Sequence, residues 1–234
     1  MGSLQRLTSL NLSHCNQLVG MGLRELTGLT ALASLSLSHC KQMTGVGFDS
    51  LSGLTALSTL DASSCDAMTS AGVRELSSLT SLKTLNLDYN LYLSVADIRQ
   101  LSSLTSLTSL KQNLALWRQS RSAVATGEEC DESLLALSGL TSTCTSLTRL
   151  DMNNWETLTD KGWLLLISGF AELTTLGLSS CPLLTDTGLR ALRGVNLTSM
   201  HQPQRLQTGG CKLLTDASIQ ALSGVKLTSI NLTS

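Results

Sequence analysis

Apolar residues return along this chain at a fixed interval. Leu7, Leu10, Leu12, Cys15 and Leu18 are followed 25 residues later by Leu32, Leu35, Leu37, Cys40 and Met43. The set recurs after another 25 as Leu57, Leu60, Ala62, Cys65 and Met68. Within each set, Leu10–Leu12 and its equivalents alternate with polar residues such as Ser9, Asn11 and Ser13. That is the period of a strand with one buried face. Strand centres are predicted at 10–12, 35–37, 60–62, 85–87, 110–112, 150–152, 176–178, 200–202 and 230–232. A short helical pattern follows most of them. In Thr185-Asp186-Thr187-Gly188-Leu189-Arg190-Ala191-Leu192, Thr185 suits an N-cap and Asp186 suits the positive end of the helix dipole. Leu189 and Leu192 fall on one face. Thr159-Asp160 and Thr215-Asp216 repeat the device.

A unit of this length, written L-x-x-L-x-L-x-x-C-x-x-L, is the signature of a leucine-rich repeat. One unit cannot bury its apolar face alone, so units stack. The predicted fold is an α/β leucine-rich repeat solenoid, a horseshoe with a parallel concave sheet and short convex helices that supply the crossovers. The chain reads as one such domain over 1–234, about eight to nine repeats. The Cys of each unit points inward, where it would cover strand-end backbone with a small, weakly polar group. The period fails twice, near 113–129 and near 202–208. Insertions of this kind map to loops and often to the binding face. For the first, a retained intron or gene-model error is an equal alternative, since Gln112 also replaces an inward Leu. The chain starts in repeat pattern at Leu4 and stops at Ser234 within a predicted strand, which is expected of a piece of a longer protein.

Composition narrows the function. Net charge is −1, so no basic field draws nucleic acid or anionic lipid. The longest apolar run, Trp163 to Ile167, is too short to span a bilayer. The N-terminus lacks the apolar core of a signal peptide, and Arg6 stands where a myristoylation signal wants Ser or Thr. Five of the seven cysteines, Cys15, Cys40, Cys65, Cys181 and Cys211, share one repeat position, which points to packing rather than a disulfide framework. Reduced, buried thiols fit an intracellular protein, cytoplasmic or nuclear. Three glycosylation patterns, at Asn11, Asn196 and Asn231, lie in or beside predicted strands and read as chance matches.

Candidate chemistry is sparse, and the chain reads as a non-enzyme without cofactors. His14-Cys15 and His39-Cys40 suggest a metal, but alternation turns His out where Cys turns in, and no C-x-x-C completes a ligand set. His201 is isolated. Asp61, Asp88 and Asp151 are predicted outward on strands and solvated. No nucleophile elbow, zincin or phosphate loop occurs. Trp163 falls in the slot of Leu23, Val73 and Leu189, and Trp155 in the Cys slot, so both read as core. The concave face remains. Its first strands carry little but Ser and Asn. Its middle is richer, with Asp61, Asp88, Lys111, Arg149 and Asp151, flanked by Tyr89 and Tyr92 at the edge and by Trp117 and Arg118 in the first insertion. A docking partner is placed there, although the face is short of the Trp, Tyr and Arg that dominate hot spots.

Residues 173–192, LTTLGLSSCPLLTDTGLRAL, and 7–23, LTSLNLSHCNQLVGMGL, resemble the cysteine-containing subclass of leucine-rich repeats, of the ribonuclease-inhibitor-like superfamily. The shared motif is L-x-x-L-x-L-x-x-C-x-x-[LIM]-T-D-x-G-[LIV]-x-x-L, and the resemblance covers nearly the whole chain outside 113–129 and 202–208. It implies the substrate-recognition repeats of an F-box-type ubiquitin ligase, with protein partners and cullin-type components reached through a segment not in this sequence. The alternative is a generic intracellular scaffold, or a signalling or effector protein with no ligase link. Val19-Gly20, Thr44-Gly45 and Thr69-Ser70 depart from the motif by lacking its Asp. These early repeats also resemble plainer Leu/Ser/Thr-rich repeats of protist and algal surface or effector proteins.

Overall fold

The computed structural model describes residues 4–90, 92–93, 97, 99–112, 143–151, 159–169, 172–177, 181–194, 205–207, 212–223 and 229–231. Within them lie nine three-residue strands: β1 Ser9–Asn11, β2 Ser34–Ser36, β3 Thr59–Asp61, β4 Thr84–Asn86, β5 Ser109–Lys111, β6 Arg149–Asp151, β7 Thr175–Gly177, β8 Arg205–Gln207 and β9 Ser229–Asn231. They form one parallel sheet in chain order. Every strand but β8 begins about a residue before its expected centre, within the normal scatter of element ends. Register is continuous: Leu10, Leu35, Leu60, Leu85, Leu110, Leu150, Leu176, Leu206 and Ile230 form a single row. With this pairing the fold is a leucine-rich repeat solenoid.

Strands this short derive their stability from lateral stacking. Leu32, Leu37, Cys40, Met43, Phe48, Leu51 and Leu54 turn inward from one repeat and are at most 1% exposed, and the next repeat presents the equivalent set. Burying each Leu contributes about 1.5–3 kcal/mol. On the convex side are the helices α1 Gly45–Asp49, α2 Ser70–Leu76, α3 Asp160–Ile167, α4 Asp186–Arg190 and α5 Asp216–Leu222, with 3-10 segments at Met21–Gly28, Arg99–Ser103 and Ala191–Gly194. Trp163 is fully buried in the slot expected of it, and its indole N–H donates to Gly188 O in the next repeat at 2.9 Å.

The abundance of Ser and Thr has a structural use. Just before the strands, the hydroxyls of Ser58, Thr108, Thr148 and Thr174 donate to the carbonyls of Ala33, Lys83, Thr108 and Thr148, one repeat back, at 2.9–3.1 Å. The cysteines act as expected in the interior. Cys40 Sγ donates to Leu12 O and Cys65 Sγ to Leu37 O, both at 3.2 Å. Asn90 takes the same slot one repeat later. Its Oδ1 accepts from Cys65 N–H, and its Nδ2 donates to Ala62 O and Leu87 O.

Three expectations need correction. The eighth strand is Arg205–Gln207, paired with Thr175–Gly177, not 200–202, so 205–207 cannot belong to an insertion. The spacing carried the answer: Leu206 stands five residues before Cys211, as Leu10 does before Cys15 and Leu176 before Cys181. The extra residues therefore precede the strand. Second, Cys15 is exposed, because it lies in the first repeat, where no earlier unit covers it among the described residues. Third, Asp151 is only 7% exposed rather than solvated. The first irregular segment, 113–129, and Trp155 lie outside the described residues.

Candidate binding surface

The concave face carries two columns in strict register. One runs Ser9, Ser34, Thr59, Thr84, Ser109, Arg149, Thr175, Arg205 and Ser229. The other runs Asn11, Ser36, Asp61, Asn86, Lys111, Asp151, Gly177, Gln207 and Asn231. Strand pairing crosses the first break without loss of register. Lys111 lies beside Asp151, and Ser109 beside Arg149. Three of the nine expected site residues are thus adjacent. Asp61 lies two rungs before Lys111, on the order of 10 Å away. Trp117 and Arg118 lie outside the described residues.

Much of the polarity of this face is consumed locally. Asn11 Oδ1 accepts from Ser13 N–H, Asn86 Oδ1 from Asp88 N–H, and Asp61 Oδ1 from both the N–H and the hydroxyl of Ser63. These Asx turns bend the chain out of the strand. The Ser13 and Ser36 hydroxyls share a hydrogen bond at 2.7 Å. Arg149 donates through Nε and Nη2 to Asp151 Oδ2, at 3.1 and 2.8 Å. This pair explains the burial of Asp151: the guanidinium lies over it and neutralises it. The i, i+2 spacing on a strand puts both on one face, a signal present in the sequence. Lys111, half-buried at the neighbouring rung, brings a further positive charge to β5–β6. Tyr89 and Tyr92 are exposed, at 52% and 66%.

Sequence reasoning missed a second feature at the rim. The residue before the Cys slot turns the chain out of β1, β2, β3 and β4 in left-handed conformation: His14, His39, Ser64 and Tyr89 have φ of 64°, 60°, 54° and 61°. The conformation costs a residue with a side chain roughly 1–2 kcal/mol relative to the right-handed one. Backbone bonds fix this column: His14 N–H donates to Ser38 O, His39 N–H to Ser63 O and Ser64 N–H to Asp88 O, at 2.8–2.9 Å. The His14 and His39 rings stack with centroids 4.5 Å apart and planes 6° from parallel. In-plane lone pairs on parallel rings do not converge on one metal ion, and no group of three or more candidate metal ligands occurs among the described residues.

The thiols are poor nucleophile candidates. Burial pushes the Cys65 thiol up to about 12, and burial likewise raises Cys40 and Cys144, so their reactive thiolate form is suppressed.

No protein-family model and no curated protein sequence matches the chain. Solved structures do. Internalin C2 of Listeria monocytogenes superposes with a TM-score of 0.58 at 19% identity, covering 99% of this chain and 83% of that one. Internalin F of the same organism gives 0.50 at 19%, covering 90% and 64%. A structure of TLR13 with ssRNA13 gives 0.50 at 17%, covering 98% of this chain and 36% of that one. At these identities the likeness concerns architecture, and it agrees with the pairing pattern: the chain has the leucine-rich repeat solenoid fold.

Proposed function

We propose that this chain is a non-enzymatic protein-interaction module whose partner docks across β4–β6 of the concave face. The observation that carries this reading is the alignment of Lys111 with the self-neutralised Arg149–Asp151 pair, next to the exposed edge rings of Tyr89 and Tyr92. A neutralised guanidinium, a half-buried ammonium and two exposed phenols offer hydrogen bonds and ring surface with little net charge to desolvate. Asp61 and Asp88 extend this surface toward the N-terminal side, and Trp117 and Arg118 are proposed to extend it on the other. The finer reading is substrate recognition for an F-box-type ubiquitin ligase, and its support is the repeat motif Thr-Asp-x-Gly with the Cys ladder. The alternative is an intracellular scaffold or signalling module, favoured by the early repeats that lack the Asp.

Affinity capture with quantitative mass spectrometry tests both levels. Proteins retained by the wild-type chain should be lost by Tyr92→Ala/Lys111→Glu and kept by Val46→Ser on the convex side. The expected loss is about five- to thirtyfold in affinity, that of one or two hot-spot residues. Equal retention by both variants would remove the docking surface from β4–β6. Cullin components among proteins bound to the full-length product support the ligase reading, and their absence leaves the scaffold.

A further inference from the structure

The rim column contains a gap of one ring. His14 and His39 stack at 4.5 Å, close to the distance between adjacent strands. Ser64 puts no ring at the next rung, and Tyr89 resumes the column after it. His39 and Tyr89 are therefore two rungs apart, roughly 10 Å, which leaves room for one flat group with a ring on either side. Backbone hydrogen bonds hold the spacing at every rung. Elsewhere in the sequence the equivalent position holds Asn154, Ser180 and Gly210, none of which carries a ring. Rings at this position are confined to the first four repeats.

The charge around the gap selects its occupant. Asp61 is on the rung of the gap itself, three residues before Ser64. Asp61 Oδ1 is held by Ser63, so Oδ2 is the atom left for a ligand. The strands β1–β4 carry no Lys or Arg, and the nearby Lys41 faces Asp66 at 3.7 Å. A planar cation satisfies both the faces and the Asp61 carboxylate: a guanidinium stacks on rings and bonds carboxylate oxygens in its own plane, whereas an ammonium is a point charge. We propose that the gap between His39 and Tyr89, floored by Ser64, receives an arginine side chain of a protein partner. This rests on the protein-docking reading and gives that surface its first specificity element.

NMR titration of the full chain with the tripeptide Gly-Arg-Gly tests it, with Gly-Lys-Gly and Gly-Trp-Gly as comparison probes. Saturable shifts are expected at the Ser64 amide and the His39 and Tyr89 rings, with Gly-Lys-Gly weaker by roughly two- to fivefold, the worth of an exposed cation–π contact. Ser64→Tyr should fill the gap and abolish the response. Tyr89→Leu, which leaves the core untouched, should remove most of it and keeps the test open if Ser64→Tyr misfolds. The assignment is overturned if Gly-Arg-Gly leaves these resonances unmoved, if Gly-Lys-Gly or Gly-Trp-Gly matches it, or if Tyr89→Leu responds like wild type. The docking reading is tested separately, through Tyr92 and Lys111, so the slot can fail while capture still depends on those residues.

Discussion

The first three repeats and the later ones join their helix starts in opposite ways. At the early joints two glycine backbones touch. A Cβ on Gly47 would lie 2.7 Å from Gly20 Cα, and one on Gly45 would lie 3.3 Å from both Ala71 Cβ and Gly72 N. Thr44 uses its hydroxyl to reach back to Val19 O at 3.4 Å and makes no cap bond. At the later joints a carboxylate fills the space. Asp160 Oδ1 accepts from Thr185 N–H at 2.8 Å and Oδ2 from its hydroxyl, while Thr185 Oγ1 caps its own helix by accepting from Thr187 N–H. Asp186 repeats this with Thr215 N–H and the hydroxyls of Thr215 and Ser218. The Thr-Asp-x-Gly motif is therefore a joint between repeats: Asp from one unit, Thr and the small residue from the next. Early repeats without the Asp close the same joint by backbone contact, with the Thr44 hydroxyl bonding back to Val19 O.

The largest expected effect breaks the early type of joint. Gly20 has φ +99° and packs against Gly47 backbone. Gly20→Ala meets both an unfavourable backbone region and an immovable neighbour, and should cost about 3 kcal/mol. Gly22→Ala, two residues on, meets nothing within 4 Å and should be neutral or slightly stabilising. Urea unfolding of the two variants measures the contrast. A shared small effect would mean that the first joint is open in solution.

The later joint should behave as a unit. Asp160→Ala leaves the half-buried Thr185 N–H without its acceptor and should cost about 1–2 kcal/mol. Gly188→Ala puts a methyl against the Asp160 carboxylate and within 2.6 Å of Leu184 Cδ1, the flexible end of a side chain, and should cost about 1–3 kcal/mol. Made together, the first change vacates the space that the second fills. The double variant should be more stable than the sum of the single effects by about 1 kcal/mol. Strict additivity in that cycle would deny that Asp and Gly are complementary parts of one joint.

How far the sequence revealed these features depends on where each cause lies in the chain. Leu35 and Leu37 are legible as core because alternation is local, and Thr185 as a cap because capping is local. The partner of Asp186 is not legible: a carboxylate near a helix start suits its own dipole, and only the stacking of repeats shows that it serves the next helix. Asn90 was passed over because its equivalence to Cys lies in the hydrogen-bond role rather than in polarity. Strand β8 departs from the expected 200–202 because the extra residues precede it, while Leu206 and Cys211 keep the spacing of the other repeats. On the binding face, the columns follow from register, but the Arg149–Asp151 pair and the His14–His39 stack depend on side-chain placement that periodicity does not specify. Lys111 beside Asp151 depends on pairing across forty residues.

The smallest effect separates the two joints by acid. The Ser218 and Thr215 hydroxyls and the Thr215 N–H hold the Asp186 carboxyl below its ordinary range. A carboxylate lowered in the folded state binds fewer protons there than in the unfolded chain. Its contribution is therefore fully present above the ordinary value, about 3.9, and is lost as pH falls through the lower folded one. Asp186 is at the surface, so the change should be local rather than a collapse of the solenoid. Protection against hydrogen exchange should fall on acidification at Thr215 and Ala217, whose amides bond Asp186 and the Thr215 hydroxyl. It should hold at Gly47, whose amide bonds Thr44 O in a joint without a carboxylate. Asp186→Asn should make the later joint as indifferent to acid as the early one. If Gly47 lost protection in step with Thr215, acid would be acting on the stack as a whole and the two joints would not differ in kind.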